Sequence, residues 1–484
     1  MRRSLALVAL AVWLIAPALS GFQGSLTADL NQIFDAPVLA RALVGVRVES
    51  LARPGVIYER NANSLVMPAS NLKLFTLAAS AERLGWNFTF ETRLESAGTI
   101  ADGVLRGDLV VVGGGDPSIA SQDFGASPMF GEWADALKQA GIRRVDGRLV
   151  GDDHVFDQAN LGAGWAWDYL ADGYAAPVGG LSYNENVAVV RIWPGDAPGE
   201  PVRVEVSPPG HQLEVTNTVK TADGTSTASI DLARLPGSAK LTISGTVPAG
   251  GKVVTRTAAI DNPTRFFVEG LRLALADRGI RVSGGAWDLD DVSNPPGEAG
   301  RRVIARRQSP PLSALAGYWL KVSQNFYAET FFKTLGRAPG QPGSAEGGRK
   351  AVREVLTPWG IPPDSYVIYD GSGLSRYNYV TAAGVVTLLR HVWEDEKLRG
   401  PFVAALPVGG HDGTLSSRMK NTVLDANVEA KTGTISNVRS LSGYLETKAH
   451  EKLVFSMIVN HFTASDAQID AVVEKALARL VDKN

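Results

Sequence analysis

The 484-residue chain contains no cysteine. Disulfides, thiolate nucleophiles, thiolate zinc sites and iron–sulfur clusters are therefore excluded. Neither sign of charge is in surplus: 48 Lys and Arg stand against 50 Asp and Glu, a formal net charge of −2. A nucleic-acid partner would call for a basic field, so that class is set aside. Histidine is scarce. The six residues His154, His211, His391, His411, His450 and His461 contain no His-Glu-x-x-His spacing, which argues against a zinc peptidase of that type. No serine lies in Gly-x-Ser-x-Gly, which argues against an esterase of the nucleophile-elbow kind. What is present is ordinary for a folded protein: 45% hydrophobic and 20% charged residues. The length suits two or three domains, and 51 Gly with 26 Pro imply many turns and a β-rich body.

The N-terminus reads as an address. Arg2 and Arg3 precede an apolar run from Ser4 to Ala16, and Pro17-Ala18-Leu19-Ser20 supplies small residues for cleavage. The run is roughly 13 residues, short of the roughly 20 that span a bilayer. A cleaved secretory signal over residues 1–20 is expected, with the mature chain starting near Gly21. No transmembrane anchor is expected. An exported protein without disulfides points to a bacterial envelope, periplasmic or extracellular.

Leu26–Leu43 reads as helix. Val44–Ser50 alternates like a strand, with Gly55–Arg60 as its hairpin partner. A helix is predicted from Pro68-Ala69-Ser70, since proline suits a first turn, to Gly85, a natural residue to follow a helix. Phe88–Val112 alternates again and breaks at Asp102-Gly103. Asp102-Gly-Val-Leu-Arg-Gly-Asp108 is echoed by Asp146-Gly-Arg-Leu-Val-Gly-Asp152, which reads as two hairpins sharing one turn chemistry. Val187–Ile260, with short strands and Pro/Gly turns, reads as a separate small β domain. Pro263–Arg278 and Ser309–Gly336 return to helix. The C-terminal region predicts strands at Val428–Thr434, Arg439–Thr447 and Lys452–Asn460, then a helix at Ser465–Val481. Ser465 and Gln468 make a capping box. The stripe Ile469, Val472, Val473, Ala476, Leu477, Leu480 is expected to pack on the sheet; peripheral membrane contact is the alternative.

Three short motifs carry chemistry. Ser70-Asn71-Leu72-Lys73 opens a helix, and residues three apart share a helical face, so Lys73 sits beside the Ser70 hydroxyl. A serine hydroxyl needs a base nearby, and lysine serves if its pKa is depressed. Ser323-Gln324-Asn325 lies in an apolar helical region, where polar groups must be bonded or used. Lys431-Thr432-Gly433-Thr434 lies on a predicted strand, where glycine marks close approach by a ligand or another backbone.

In the order Ser-x-x-Lys, Ser-x-Asn, Lys-Thr-Gly these form the motif set of penicillin-recognising acyl-transfer enzymes. The chain resembles the serine β-lactamases and penicillin-binding proteins. More than half of the chain separates Ser70 from Ser323, which is too long for a compact β-lactamase and implies inserted domains. The pattern is similar to the low-molecular-mass class C penicillin-binding proteins, the serine D-Ala-D-Ala carboxypeptidase/endopeptidase family. Gly113-Gly114-Gly115-Asp116-Pro117-Ser118, Asp370-Gly371-Ser372-Gly373-Leu374-Ser375 and the segment Leu406–Leu415 resemble further family segments.

The resemblance implies a multidomain α+β fold. Residues 21–90 and 300–484 would form a discontinuous transpeptidase-like catalytic domain, an antiparallel sheet with helices. Residues 91–186 and 261–299 would form an inserted domain, and 187–260 a small β-rich domain nested in it. It implies acyl transfer from D-alanyl-D-alanine termini of peptidoglycan stem peptides, or from cross-links bearing them, with β-lactams as covalent inhibitors and no metal or cofactor. Ser70 would be the nucleophile, Lys73 its base, Ser323 the proton relay beside Lys431, and Asn325 the group orienting Lys73. The amides of Ser70 and Thr434 would form the oxyanion hole. Thr432, Gly433 and Thr434 would bind substrate, and Asp116 would bind an amino group of the stem peptide. A class A β-lactamase would need a Glu-x-x-Leu-Asn element, and the chain has none. A catalytically silent wall scaffold would show a broken motif, and all three are intact.

Overall fold

The computed structural model describes residues 26–120 and 128–483. The expected signal, residues 1–20, lies outside them. Among the described residues no helix is long and apolar enough to cross a membrane.

The two ends of the chain meet in one sheet. Its five strands run in the order Glu429–Ile435, Val438–Glu446, Lys452–Asn460, Leu43–Ser50, Val56–Arg60, each antiparallel to its neighbour. Successive side chains leave a strand on opposite faces, and here both faces are buried. Val44, Val46, Val48, Phe455, Met457 and Val459 enter one core with the helix over residues 26–34 and the helix Asp466–Val481. Tyr444, Val454 and Ile458 enter the opposite core, filled by helices Leu72–Leu84, Leu312–Lys321, Asn325–Leu335 and Ala382–Glu394.

The C-terminal helix opens with the expected capping box, and Ile469, Val473, Leu477 and Leu480 are buried against the sheet. The helix over residues 26–34 stops short of Leu43, because Pro37 begins a separate 3-10 turn, Pro37–Leu39. The stretch Ser309–Gly336 is two helices, Leu312–Lys321 and Asn325–Leu335. The break falls at Ser323, whose φ is +62°, a left-handed conformation that ends a helix.

Between the two halves of the sheet the chain builds β-rich layers. Glu91–Ala101 and Val104–Val112 form a hairpin turned at Asp102 and Gly103, both with positive φ. Arg302–Gln308 flanks it, and helices Met129–Gln139 and Pro263–Asp277 cover it. The echoed Asp146–Asp152 segment is not a second hairpin. Arg144–Val145 and Leu149–Asp152 instead lie parallel to Val104–Val112. The Asp108 carboxylate holds them there, accepting from the Arg148 amide at 2.7 Å and its guanidinium at 2.6 Å. Val187–Ala259 forms two further sheets, of three and four strands, around Val190, Ile192, Leu241 and Ile243.

Candidate active site

Ser70 sits in the 3-10 turn Ala69–Asn71 that leads into helix Leu72–Leu84. Ala69 is held at φ +46°, a conformation that costs a non-glycine residue about 1–3 kcal/mol and persists only where neighbours enforce it. Two glycines do so. A Cβ on Gly373 would lie 1.8 Å from the Ala69 carbonyl oxygen, and one on Gly433 would lie 2.9 Å from the Ser70 amide nitrogen and 2.7 Å from the Pro68 oxygen. Gly433 is thus on a strand because the nucleophile's backbone passes against it. Asn71 Nδ2 donates to the Lys431 carbonyl at 2.9 Å, and Ser440 Oγ donates to the Pro68 carbonyl at 2.7 Å. Replacing Gly433 by alanine is expected to lower acylation about 100-fold, because a shift near 1 Å at the nucleophile costs that much. Rates of β-lactam labelling against circular dichroism check it; a wild-type rate would mean that the turn has room to give.

Lys73 is fully buried, one turn after Ser70. Its Nζ donates to Ser70 Oγ at 2.8 Å, to Asn325 Oδ1 at 2.6 Å and to the Ser372 carbonyl at 2.9 Å. Burial lowers its pKa to about 7, opposed by the Glu329 and Asp370 carboxylates. A lysine near 7 exists in appreciable amount as the free amine at neutral pH, which is the form a base requires. Lys431 is buried too. Burial and then the neighbouring Lys73 charge hold its pKa well below the ordinary lysine value. Its Nζ donates to Ser323 Oγ and to the Thr432 carbonyl, both at 2.8 Å.

These groups open onto a cleft of about 380 Å³, within the size range of small-ligand sites. Ser70, Ser323, Asn325, Thr432 and Thr434 line it. Glu429–Ile435 ends the five-stranded sheet, so Thr432–Thr434 forms part of an edge beside Ser70. Asn325 Nδ2 donates to the Tyr174 carbonyl at 2.8 Å, tying the second motif to the 173–175 turn on the opposite rim.

The structure therefore brings Ser70, Lys73, Ser323, Asn325, Lys431, Thr432, Gly433 and Thr434 together. It does not bring Asp116 to them. Asp116 is 1% exposed, accepts from the Ser118 amide at 2.8 Å and hydroxyl at 2.6 Å, and pairs with Arg307 at 3.3 Å. Its carboxylate ties a turn to the strand Arg302–Gln308. The preceding glycines serve close packing: a Cβ on Gly114 would lie 2.0 Å from the Glu91 carbonyl oxygen. Several cleft residues lie outside the three motifs: Tyr169, Tyr174, Leu374, Thr414, Ile435 and Ser436. Thr414 accepts from Thr432 Oγ at 2.7 Å. Its loop is anchored where Lys321 Nζ donates to Asp412. Among the described residues, Asp153, His154 and Asp290 bring one possible metal-ligand atom each within 4.8 Å of the others; none lines the cleft.

Residues 26–483 match the D-Ala-D-Ala carboxypeptidase 3 (S13) family. A D-alanyl-D-alanine carboxypeptidase of an Actinomadura strain is 33% identical over 463 residues, covering 92% of this chain and 83% of the relative. The chain belongs to this family. The D-alanyl-D-alanine carboxypeptidase DacB of Haemophilus influenzae is 28% identical, over 88% of this chain and 87% of its own. The crystal structure of penicillin-binding protein 4 from H. influenzae superposes with a TM-score of 0.81 at 26% identity, covering 94% of this chain and 99% of that one. The same relative has been solved in complex with a β-lactam. The fold is accordingly multidomain α+β, a serine penicillin-binding fold.

Proposed function

We propose that the protein is a serine peptidase that hydrolyses D-alanyl-D-alanine termini of peptidoglycan stem peptides through an acyl-enzyme on Ser70. The observation that carries this is the 2.8 Å contact between Ser70 Oγ and a buried Lys73 whose pKa lies near 7.

Ser70 Oγ attacks the carbonyl carbon between the two D-alanines as its proton passes to Lys73 Nζ. The developing oxyanion faces the amides of Ser70 and Thr434, where fixed dipoles stabilise charge without reorganisation. The C–N bond then breaks, and the leaving amine of D-alanine takes a proton through Ser323, whose hydroxyl is held by Lys431. Water cleaves the ester, releasing the shortened peptide and restoring the serine. Thr432 and Thr434 grip the substrate's terminal carboxylate, and the peptide lies as an added strand along the exposed edge. A bound carboxylate favours the ammonium form of the buried Lys431, which burial and Lys73 otherwise disfavour, so the field turns positive where the substrate's terminus binds.

A β-lactam presents a strained acyl carbonyl to the same serine, and the β-lactam complex of the Haemophilus relative supports recognition of such compounds. Export to the cell envelope, with removal of residues 1–20, fits both the N-terminal sequence and a wall substrate. Intact-mass spectrometry of the protein with benzylpenicillin tests the reading. A long-lived adduct of one penicillin, with D-alanine released from a D-alanyl-D-alanine peptide, is expected. A fleeting adduct with rapid drug loss would move the assignment to a β-lactamase, and no adduct would leave a silent wall-binding scaffold.

A further inference from the structure

Glu329 is buried, on helix Asn325–Leu335, one turn after Asn325. It does not line the cleft. Its Oε2 accepts from the Gly371 amide at 2.9 Å and its Oε1 from the Ser372 amide at 2.7 Å. The loop so held is pressed on the helix: a Cβ on Gly371 would lie 2.6 Å from the Ala328 carbonyl oxygen. From the other side Thr76 Oγ, on the nucleophile helix, donates to the Gly371 carbonyl at 2.7 Å. The carbonyl of Ser372, the residue that Glu329 grips, accepts from Lys73 Nζ at 2.9 Å.

We propose that Glu329 is a positioning residue for Lys73, acting through the Ser372 carbonyl. The inference rests on the reading of Lys73 as the base. A neutral amine has two hydrogens and one lone pair, and Lys73 Nζ has three close partners. When Asn325 Oδ1 and the Ser372 oxygen take the two hydrogens, the lone pair is left toward the Ser70 hydroxyl. Both acceptors hang from one helix, Asn325 directly and Ser372 through Glu329. Without the Glu329 clamp the carbonyl can swing away, and the amine can turn its lone pair off the serine. The titratable groups facing Lys73 are Glu329 from this helix, whose pKa burial and then the neighbouring Asp370 raise to about 8, Asp370 from the loop and Lys431 from the strand. Removing Glu329 frees the Ser372 carbonyl that accepts from Lys73 Nζ, and that acceptor favours the ammonium form.

The test is Glu329→Gln, with rapid-quench acylation by benzylpenicillin from pH 5.5 to 9 alongside thermal melting. Glutamine offers one acceptor where two amides need two, and turns an N–H₂ toward the other. The limiting acylation rate is expected to fall about 10- to 100-fold, with pre-covalent penicillin affinity within about twofold and the acid limb displaced to lower pH. A wild-type rate and limb overturn the proposal. So does a loss that tracks the unfolded fraction with the limb in place, which would mark Glu329 as structural only. Should Glu329→Gln not fold, Glu329→Asp carries the test: it keeps the carboxyl group but is one carbon too short for both amides. A tenfold or larger fall in its limiting rate is expected, and a wild-type rate overturns the proposal. Failure of the underlying reading looks different: the wild-type protein would then carry no adduct, or Ser70→Ala would keep one.

Discussion

Ser70→Ala should leave a folded protein that neither hydrolyses D-alanyl-D-alanine peptides nor retains penicillin. Loss of a serine nucleophile that acts as one unit with its base costs about a million-fold in turnover. Stability should change little. The Ser70 side chain caps no helix, and Lys73 keeps two of its three partners, Asn325 and Ser372. The turn that carries Ser70 is held by backbone contacts with Gly373 and Gly433, not by the hydroxyl. Thermal melting near the wild-type temperature with no mass adduct is the expected pair of results. Labelling that survives in the alanine variant would assign the acylated atom elsewhere, with Ser323 the next hydroxyl in the cleft.

How much of this site was legible in the sequence follows from how local each constraint is. Ser70 and Lys73 were readable because helical spacing alone sets their approach. Gly433 was readable as a point of close contact because glycine in a strand asks for one, and the contact is the nucleophile's own turn. Ser323 was found, but its helix break was not. Nothing local in Lys321-Val322-Ser323-Gln324 forbids a helix, and a tertiary demand turns the hydroxyl toward Lys431. Tyr169, Tyr174 and Thr414 were missed as cleft residues because loops bring them there across long sequence separations. Asp116 is the reverse case. A glycine-rich turn ending in aspartate suggests ligand binding, yet Arg307, far along the chain, occupies the carboxylate. The repeated Asp-Gly segment likewise could not announce that Asp108 would hold Arg148 and align the strands in parallel. The sheet itself was easier: Val44–Ser50 alternates, and Lys452–Asn460 is an almost continuous apolar run, as strands buried on both faces are.

Lys73→Met should fold and fail to acylate. Methionine keeps most of the lysine volume in a fully buried position while removing the amine, so the cavity that alanine would leave is avoided. General base catalysis contributes about 100- to 10,000-fold, and a fall of that order in acylation rate is expected. The pH dependence gives the sharper test. With its pKa lowered to about 7 by burial, Lys73 is a free amine above that pH and an ammonium below it. Only the amine can take the Ser70 proton, so wild-type acylation should fall as pH drops through about 7, by about tenfold per pH unit below it. In Lys73→Met that limb should vanish, because the group that titrates is gone. A slow variant that keeps the limb would place the titrating base on another group. The neighbouring candidate is Lys431, which shares the buried setting but points its nitrogen at Ser323 rather than at the nucleophile. The distinction rests on geometry: two lysines lose their charge preference to the same burial, and the hydroxyl each one touches assigns its task.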